Sequence, residues 1–166
     1  MTIEIRPYQS DDKTACVEIF RSNQPRFFAD EEFEDFVSFL NNLPCSYFCL
    51  IDDEIVIGCG GYFINEDEQV AGMAWGMVHN SRHGTGLGKL LLLYRLAQIC
   101  QAGQANKIIM DTSQHTFKFF EKLGFIVTKV ISDGYGAGLD RVDMELIITD
   151  KTCSYFQLAL HQAMTD

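Results

Sequence analysis

Between an apolar, strand-like run that ends at Val78 and a leucine-rich run that begins near Lys89 lies His83-Gly84-Thr85-Gly86-Leu87-Gly88, with glycine at every second position. Glycines so spaced let the backbone turn tightly and expose successive N–H groups with no Cβ in the way. Placed just before a helix, these amides add to the positive end of the helix and form an anion site suited to phosphate or pyrophosphate. Such an element needs a strand behind it and a helix ahead of it, which restricts the chain to folds that mix the two. Two familiar phosphate loops do not fit. The GxxxxGK[ST] loop needs a hydroxyl after Gly88-Lys89, where Leu90 stands. The dinucleotide pattern GxGxxG needs a further glycine at 89 or 91, where Lys89 and Leu91 stand. A GxGxG run into an apolar helix remains, set against a plain strand-to-helix turn.

The rest of the chain supplies the elements. Thr2 to Arg6 alternates as a short strand; Ser10-Asp11-Asp12 caps a helix with Ala15, Cys16, Ile19 and Phe20 on its apolar face. Asp30 caps a second helix, with Glu31 and Glu32 favouring its positive end and Phe33, Phe36, Val37 and Leu40 on one side. Three strands follow, Tyr47 to Ile51, Ile55 to Ile64 and Gln69 to Val78, then the helix Lys89 to Gln101. Lys107 to Thr112 reads as a strand and Thr116 to Leu123 as a short helix. Phe125 to Ile131 and Val142 to Ile148 are strands joined by a glycine-rich loop, Asp133 to Asp140, and an amphipathic helix begins at Lys151. The order β-α-α, three strands, α-β-α-β-β and a helical tail implies an α/β (α+β) fold with a mixed sheet flanked by helices on both faces. No repeat or linker divides residues 1–166, so one domain is expected, with 151–166 as a helical extension.

Composition narrows the partners. With 13 Lys+Arg against 23 Asp+Glu the net charge is −10, unsuited to holding a nucleic-acid backbone. The segment Ser81 to Arg95 is an exception: it carries Arg82, Lys89 and Arg95 and no acid, a basic island around the glycine loop. The start of the chain lacks a secretory pattern, and no apolar run approaches the roughly 20 residues that cross a bilayer. The six cysteines are scattered without a CxxC pair, which reads as reduced thiols in a cytoplasmic protein without a metal site.

Two segments then carry a family resemblance. His83-Gly84-Thr85-Gly86-Leu87-Gly88 resembles the Q/R-x-x-G-x-G/A signature of the GNAT superfamily of acyl-CoA-dependent N-acyltransferases. Phe119-Phe120-Glu121-Lys122-Leu123-Gly124-Phe125 resembles that family's L-Y-E-K-L-G-F segment, and the order of elements matches along nearly the whole chain. The resemblance implies a mostly antiparallel sheet of six to seven strands and acetyl-CoA as co-substrate. The cofactor would lie in a V between the strand ending at Val78 and the strand 107–112. Its pyrophosphate would rest on the amides of Gly84, Thr85, Gly86, Leu87, Gly88 and Lys89. Its thioester oxygen would accept an N–H near Met77 and Val78. There are departures: His83 replaces Gln or Arg, Ser113 stands where many members have a cofactor-contacting Asn, and Phe120 stands where a tyrosine is often proposed to protonate the leaving thiolate. A phenyl ring has no proton to give.

The acid–base candidates are therefore others. His79 follows the strand directly, and histidines exchange protons near neutrality. Asp111 ends the other wall of the V and would orient an amine. Tyr135, in the glycine-rich loop, is the substitute proton donor, with Asp133 and Asp140 able to attract a cation. Trp75 and the Phe27-Phe28 pair are candidates to line the acceptor pocket. The reading is an N-acetyltransferase acting on an amine of a small, cationic molecule or of a peptide, by direct attack in a ternary complex. The alternative is a non-catalytic acyl-CoA sensor or partner-binding module, motivated by Phe120. Tyr155, Phe156, Leu158 and Leu160 on the last helix would serve either a homodimer or the chain's own sheet.

Overall fold

The computed structural model describes residues 2–165. Seven strands, β1 (Ile3–Pro7), β2 (Ser46–Asp52), β3 (Ile55–Asn65), β4 (Val70–Val78), β5 (Lys107–Ser113), β6 (Ile126–Gly136) and β7 (Leu139–Ile147), form one sheet in the order β1-β2-β3-β4-β5-β7-β6. Every neighbouring pair is antiparallel except β4 and β5. The helices are α1 (Lys13–Ser22), α2 (Phe33–Asn41), α3 (Leu87–Ala102), α4 (Phe117–Glu121) and α5 (Asp150–Thr165). The mixed sheet with helices and a helical tail is as expected from the order of elements, and its seven strands and mostly antiparallel pairing are as the family resemblance implies.

Alternation along the strands sends side chains to two cores. Tyr47, Cys49 and Ile51 of β2 join Cys16, Ile19 and Phe20 of α1 and Phe36 and Leu40 of α2. Leu50 instead joins Leu87, Leu90 and Leu91 of α3. The middle of α3 is buried on nearly all sides, as its run of leucines from 90 to 93 requires. Sheet covers one side of it, while Phe156 of α5 is fully buried in the adjoining cluster and Leu160 packs against it. Tyr155 and Leu158 of that helix remain exposed, as does Met164.

Three expectations need correction. Cys100 and Cys153 are not free thiols; they join α3 to α5 as a disulfide, because the two helices pack side by side. Cys16, Cys49 and Cys59 are buried and free as expected. The segment Asp133 to Asp140 is not a loose loop, since β6 continues to Gly136 and β7 begins at Leu139. Its carboxylates are used locally: Asp133 Oδ1 accepts the Gly138 N–H at 2.7 Å and Asp140 Oδ1 accepts the Asp133 N–H at 2.9 Å. Gln114 then ties the hairpin to β5, its Nε2 donating to Gly138 O at 2.9 Å and its Oε1 accepting the Asp140 N–H at 2.8 Å. The second helix also begins later than Asp30, after a 3-10 turn over Asp30–Glu32. Among the described residues no helix is long and apolar enough to cross a membrane.

The feature that makes a site is the partial pairing of β4 with β5. They bond only from Val70–Lys107 to Gly72–Ile109 and then part. On its other side β4 bulges: Cys59 faces Met77 and Gly61 faces Ala74, so Trp75 and Gly76 together oppose Gly60. Trp75 takes φ +41 to make that bulge, held by the Tyr47 hydroxyl donating to its carbonyl at 2.8 Å. The two strands enclose a V.

Candidate active site

A cleft of about 1070 Å³ opens where β4 and β5 diverge. One end is the glycine loop. Gly84 and Gly86 have φ of +76 and +86, a region that side chains with a Cβ rarely adopt, and a Cβ on either would meet nothing. Space is therefore not why glycine stands there; backbone conformation is. The first helical bond of α3 is Leu90 N–H to Gly86 O at 3.0 Å, and the amides from Gly84 to Lys89 find no acceptor among the described residues. Thr85 spends its hydroxyl on Arg82 O at 2.6 Å and Leu87 is buried, so both offer the cleft only backbone.

The basic island is taken apart by the fold. Arg82 pairs with the buried Asp52 at 3.0 Å, and Arg95 is buried beneath the sheet. Only Lys89 stands at the loop exposed and without an ion pair among the described residues.

At the end of β4, His79 N–H donates to Ile57 O at 2.8 Å. Antiparallel pairing alternates, so Val78 turns its own N–H and C=O away from β3 and into the V. Its carbonyl is taken: Asn23 Nδ2 donates to it at 3.0 Å and His83 Nε2 at 3.1 Å. Its amide is left facing the cleft. Met77 is buried beside it. On the opposite wall Ser113 is buried with Oγ accepting the His115 N–H at 3.2 Å, and Phe120 lies edge-on to Phe119 at 5.1 Å. Phe27 spans the mouth, 5.1 Å from the His83 ring and 6.2 Å from the His115 ring.

The other end is built of titratable side chains. The Tyr135 hydroxyl donates to Asp111 Oδ2, and Arg141 Nη2 lies 3.9 Å from Asp111 Oδ1. Burial, then the Asp111 bond and charge, push the Tyr135 pKa well up, so this hydroxyl keeps its proton. Beside them is Glu32, which sequence reasoning treated only as a helix-end charge. Its Oε2 accepts the Ala29 N–H at 2.8 Å, folding the carboxyl back over the turn and toward the cleft. Burial pushes its pKa up to about 7; the Ala29 bond opposes this, and the charges of Asp111, Asp35 and Glu31 add to it. The available signal was the spacing, a glutamate three residues after the residue that precedes a helical turn.

His79 stands apart. The 3-10 turn Asn80–Arg82 carries its ring outward, where Nδ1 accepts the Ser81 N–H at 3.2 Å, and it does not line the cleft. The remaining candidates, apart from Thr85 and Leu87 with their backbone role, are cleft-lining side chains or backbone. Trp75, Phe27 and Phe28 line it as well, although Trp75 also packs on Phe36 with centroids 5.2 Å apart.

The profile of the acetyltransferase (GNAT) family matches residues 13–125, a span running from α1 through the glycine loop to the end of the Leu123-Gly124-Phe125 segment. The chain belongs to the GNAT acetyltransferase family. Members of this family acetylate amine acceptors with acetyl-CoA as co-substrate. Its fold is similar to that of a GNAT-family protein from Desulfovibrio desulfuricans, with TM-score 0.75 and 20% identity, covering 89% of this chain and 99% of that one. It is similar also to yncA from Salmonella typhimurium, solved with acetyl-CoA, with TM-score 0.70, 17% identity, and 90% and 96% covered. A spermidine N-acetyltransferase chimera from Vibrio cholerae and hSSAT matches with TM-score 0.67 and 16% identity, covering 95% and 99%. No curated protein matches the sequence. In this GNAT chain, the free loop amides and the parted strands fit an extended anionic co-substrate, since the loop offers donors that no acceptor among the described residues satisfies.

Proposed function

We propose that this enzyme moves the acetyl group of acetyl-CoA to an amine of a small, cationic molecule or peptide, by direct attack with both substrates bound. The amides of Gly84 to Lys89 would hold the pyrophosphate, Lys89 adding charge, and the Val78 N–H would donate to the thioester oxygen. Bound acetyl-CoA supplies the activated acetyl group. The observation that carries the reading is Glu32, a half-buried carboxyl with its pKa near 7 in the same cleft as the free amides. A carboxylate of that strength accepts, at neutral pH, the proton that an amine nitrogen sheds as it attacks. Asp111, held by Tyr135 and Arg141, would orient the amine. With Phe120 lacking a hydroxyl and Tyr135 committed to Asp111, water is left to protonate the departing thiolate.

The acceptor end joins carboxyls at 32 and 111 to the faces of Phe27, Phe28 and Trp75, a lining that favours a cation carried on an apolar body. A homodimer would form through Tyr155 and Leu158, two of the exposed apolar residues of α5. The test is a thermal shift with CoA, acetyl-CoA, NAD and ATP, followed by thiol release from acetyl-CoA across a panel of amines. CoA should stabilise the protein selectively, and cationic amines should accelerate thiol release most. Stabilisation by ATP or NAD with none by CoA would overturn the reading.

A further inference from the structure

Arg95 is a buried cation that the reaction above does not use. It lies on the sheet-facing side of α3, only 5% exposed, and it borders the cleft beside Gly76 and Met77. The sheet is cut away to admit it. A Cβ on Gly76 would stand 2.5 Å from Arg95 Nη2, and one on Gly60 would stand 3.0 Å from its Cζ. Glycine on both β3 and β4, at the bulge, is therefore what lets a guanidinium lie against the backbone there.

What it finds in that place is poor compensation. Nε donates to Leu91 O and Nη1 to Gly61 O, each at 3.3 Å, and Nη2 donates to nothing among the described residues. No carboxylate pairs with it among those residues, whereas Arg6, Arg82 and Arg141 each have an aspartate. The titratable groups near enough to influence it are Tyr47 and Cys59, and burial lowers its pKa only to about 10, so it is charged at neutral pH. A desolvated charge without a counter-ion is costly, and two long bonds to neutral carbonyls do not offset that. The guanidinium borders the cleft, and a partner arriving there to compensate its charge would be an anion. On the acyl-CoA reading the pyrophosphate would be held elsewhere, at the glycine loop, and the group reaching Gly76 and Met77 would be the acyl end of the co-substrate; an acetyl methyl offers a cation nothing.

Resting on the acyl-CoA reading of the cleft, we propose that Arg95 forms a carboxylate site at the end of the acyl slot, so that the enzyme binds the CoA thioester of a short dicarboxylic acid, malonyl or succinyl, more tightly than acetyl-CoA. The guanidinium fork matches a carboxylate in two parallel hydrogen bonds. Transfer follows the same course as acetyl transfer. The neutral amine nitrogen bonds to the thioester carbon, the C–S bond breaks, the proton that the nitrogen sheds passes to Glu32, and the thiolate takes a proton from water, whose hydroxide recovers the one on Glu32; the distal carboxylate is unchanged.

The experiment is calorimetric titration of CoA, acetyl-CoA, succinyl-CoA and butyryl-CoA, the last a neutral match for succinyl in length, into the wild type, Arg95→Met and Arg95→Lys. In the wild type succinyl-CoA should bind at least tenfold more tightly than butyryl-CoA. Arg95→Met should bring that ratio to about one, and Arg95→Lys should leave it in between. Because each ratio is taken within one protein, general weakening of binding cancels. The wild-type ratio stands as a test even where a variant does not fold. A wild-type ratio near one overturns the proposal, as does a preference that survives in Arg95→Met. Failure of CoA itself to bind would overturn the cofactor reading and this proposal together, whereas tight CoA binding with no carboxylate preference overturns this proposal alone.

Discussion

The two ends of the cleft are made of different materials. The donor end is backbone: the amides of Gly84 to Lys89 and of Val78, contributed by one continuous stretch of chain and aimed by two left-handed glycines and a helix start. The acceptor end is side chain: Glu32 from the turn before α2, Asp111 from β5 and Tyr135 from β6, brought together only when the sheet closes and the β6–β7 hairpin is tied to Gln114. A backbone site survives most side-chain changes and fails when the main-chain conformation is lost. A side-chain site has the opposite weakness, and single substitutions should therefore separate the two ends.

The largest effect is expected from Glu32→Gln. Removing a general base typically costs about 10²- to 10⁴-fold in rate, and kcat should fall by that order while the Kd for CoA holds within about twofold. In the wild type kcat/KM should rise with pH through an inflection near the Glu32 pKa of about 7, and the variant should lack it. Stability should move the other way. A carboxyl whose pKa is raised on folding binds more protons folded than unfolded, from the ordinary glutamate range up to about 7, so the wild type loses stability as pH rises through that window. Glutamine does not titrate, so the Tm of Glu32→Gln relative to wild type should climb between pH 5 and pH 8. An unchanged pH profile would remove Glu32 from the chemistry. Next in size is Gly86→Val, which puts a branched side chain at φ +86. At roughly 1–2 kcal/mol for left-handed backbone, the loss of CoA affinity should be about tenfold, with the amine KM little changed. Loss of amine affinity in place of CoA affinity would break the division of the cleft.

That division also explains what could be read from the sequence. The glycine loop, the strand–helix order and the Phe119 to Phe125 segment are local patterns, and each was legible where it stood. Phosphate binding by backbone needs only a run of neighbouring residues. Glu32 was hidden because its meaning depends on burial and on Asp111, both supplied by distant chain; alone it looks like any acid at a helix start. Arg95 reads in the sequence as part of a basic island around the glycine loop, since a sequence cannot reveal that Gly60 and Gly76 clear a place for it inside. Three glycines make Asp133 to Asp140 read as a loop, while the bonds from Asp133, Asp140 and Gln114 that hold the hairpin span separate elements. The Cys100–Cys153 link depended on α5 lying along α3, which periodicity alone does not determine.

Smaller effects sharpen the contrast. Tyr135→Phe removes the hydroxyl that holds Asp111 and should raise the amine KM by about threefold to tenfold, in line with the net worth of one ordinary hydrogen bond, and leave kcat closer to wild type. A collapse of kcat comparable to that of Glu32→Gln would instead make Tyr135 a proton carrier. The smallest effect belongs to Lys89→Ala. Lys89 is exposed, so water and salt screen whatever it contributes to a bound pyrophosphate, and exposed ion pairs are worth about 0.2–1 kcal/mol. CoA affinity should fall no more than about fivefold at low salt, and the difference from wild type should vanish near 1 M salt, where screening acts over roughly 3 Å. The backbone amides around it carry no such dependence on a single side chain. If Lys89→Ala abolishes CoA binding at every salt concentration, the donor end is a side-chain site after all, and the contrast between the two ends fails.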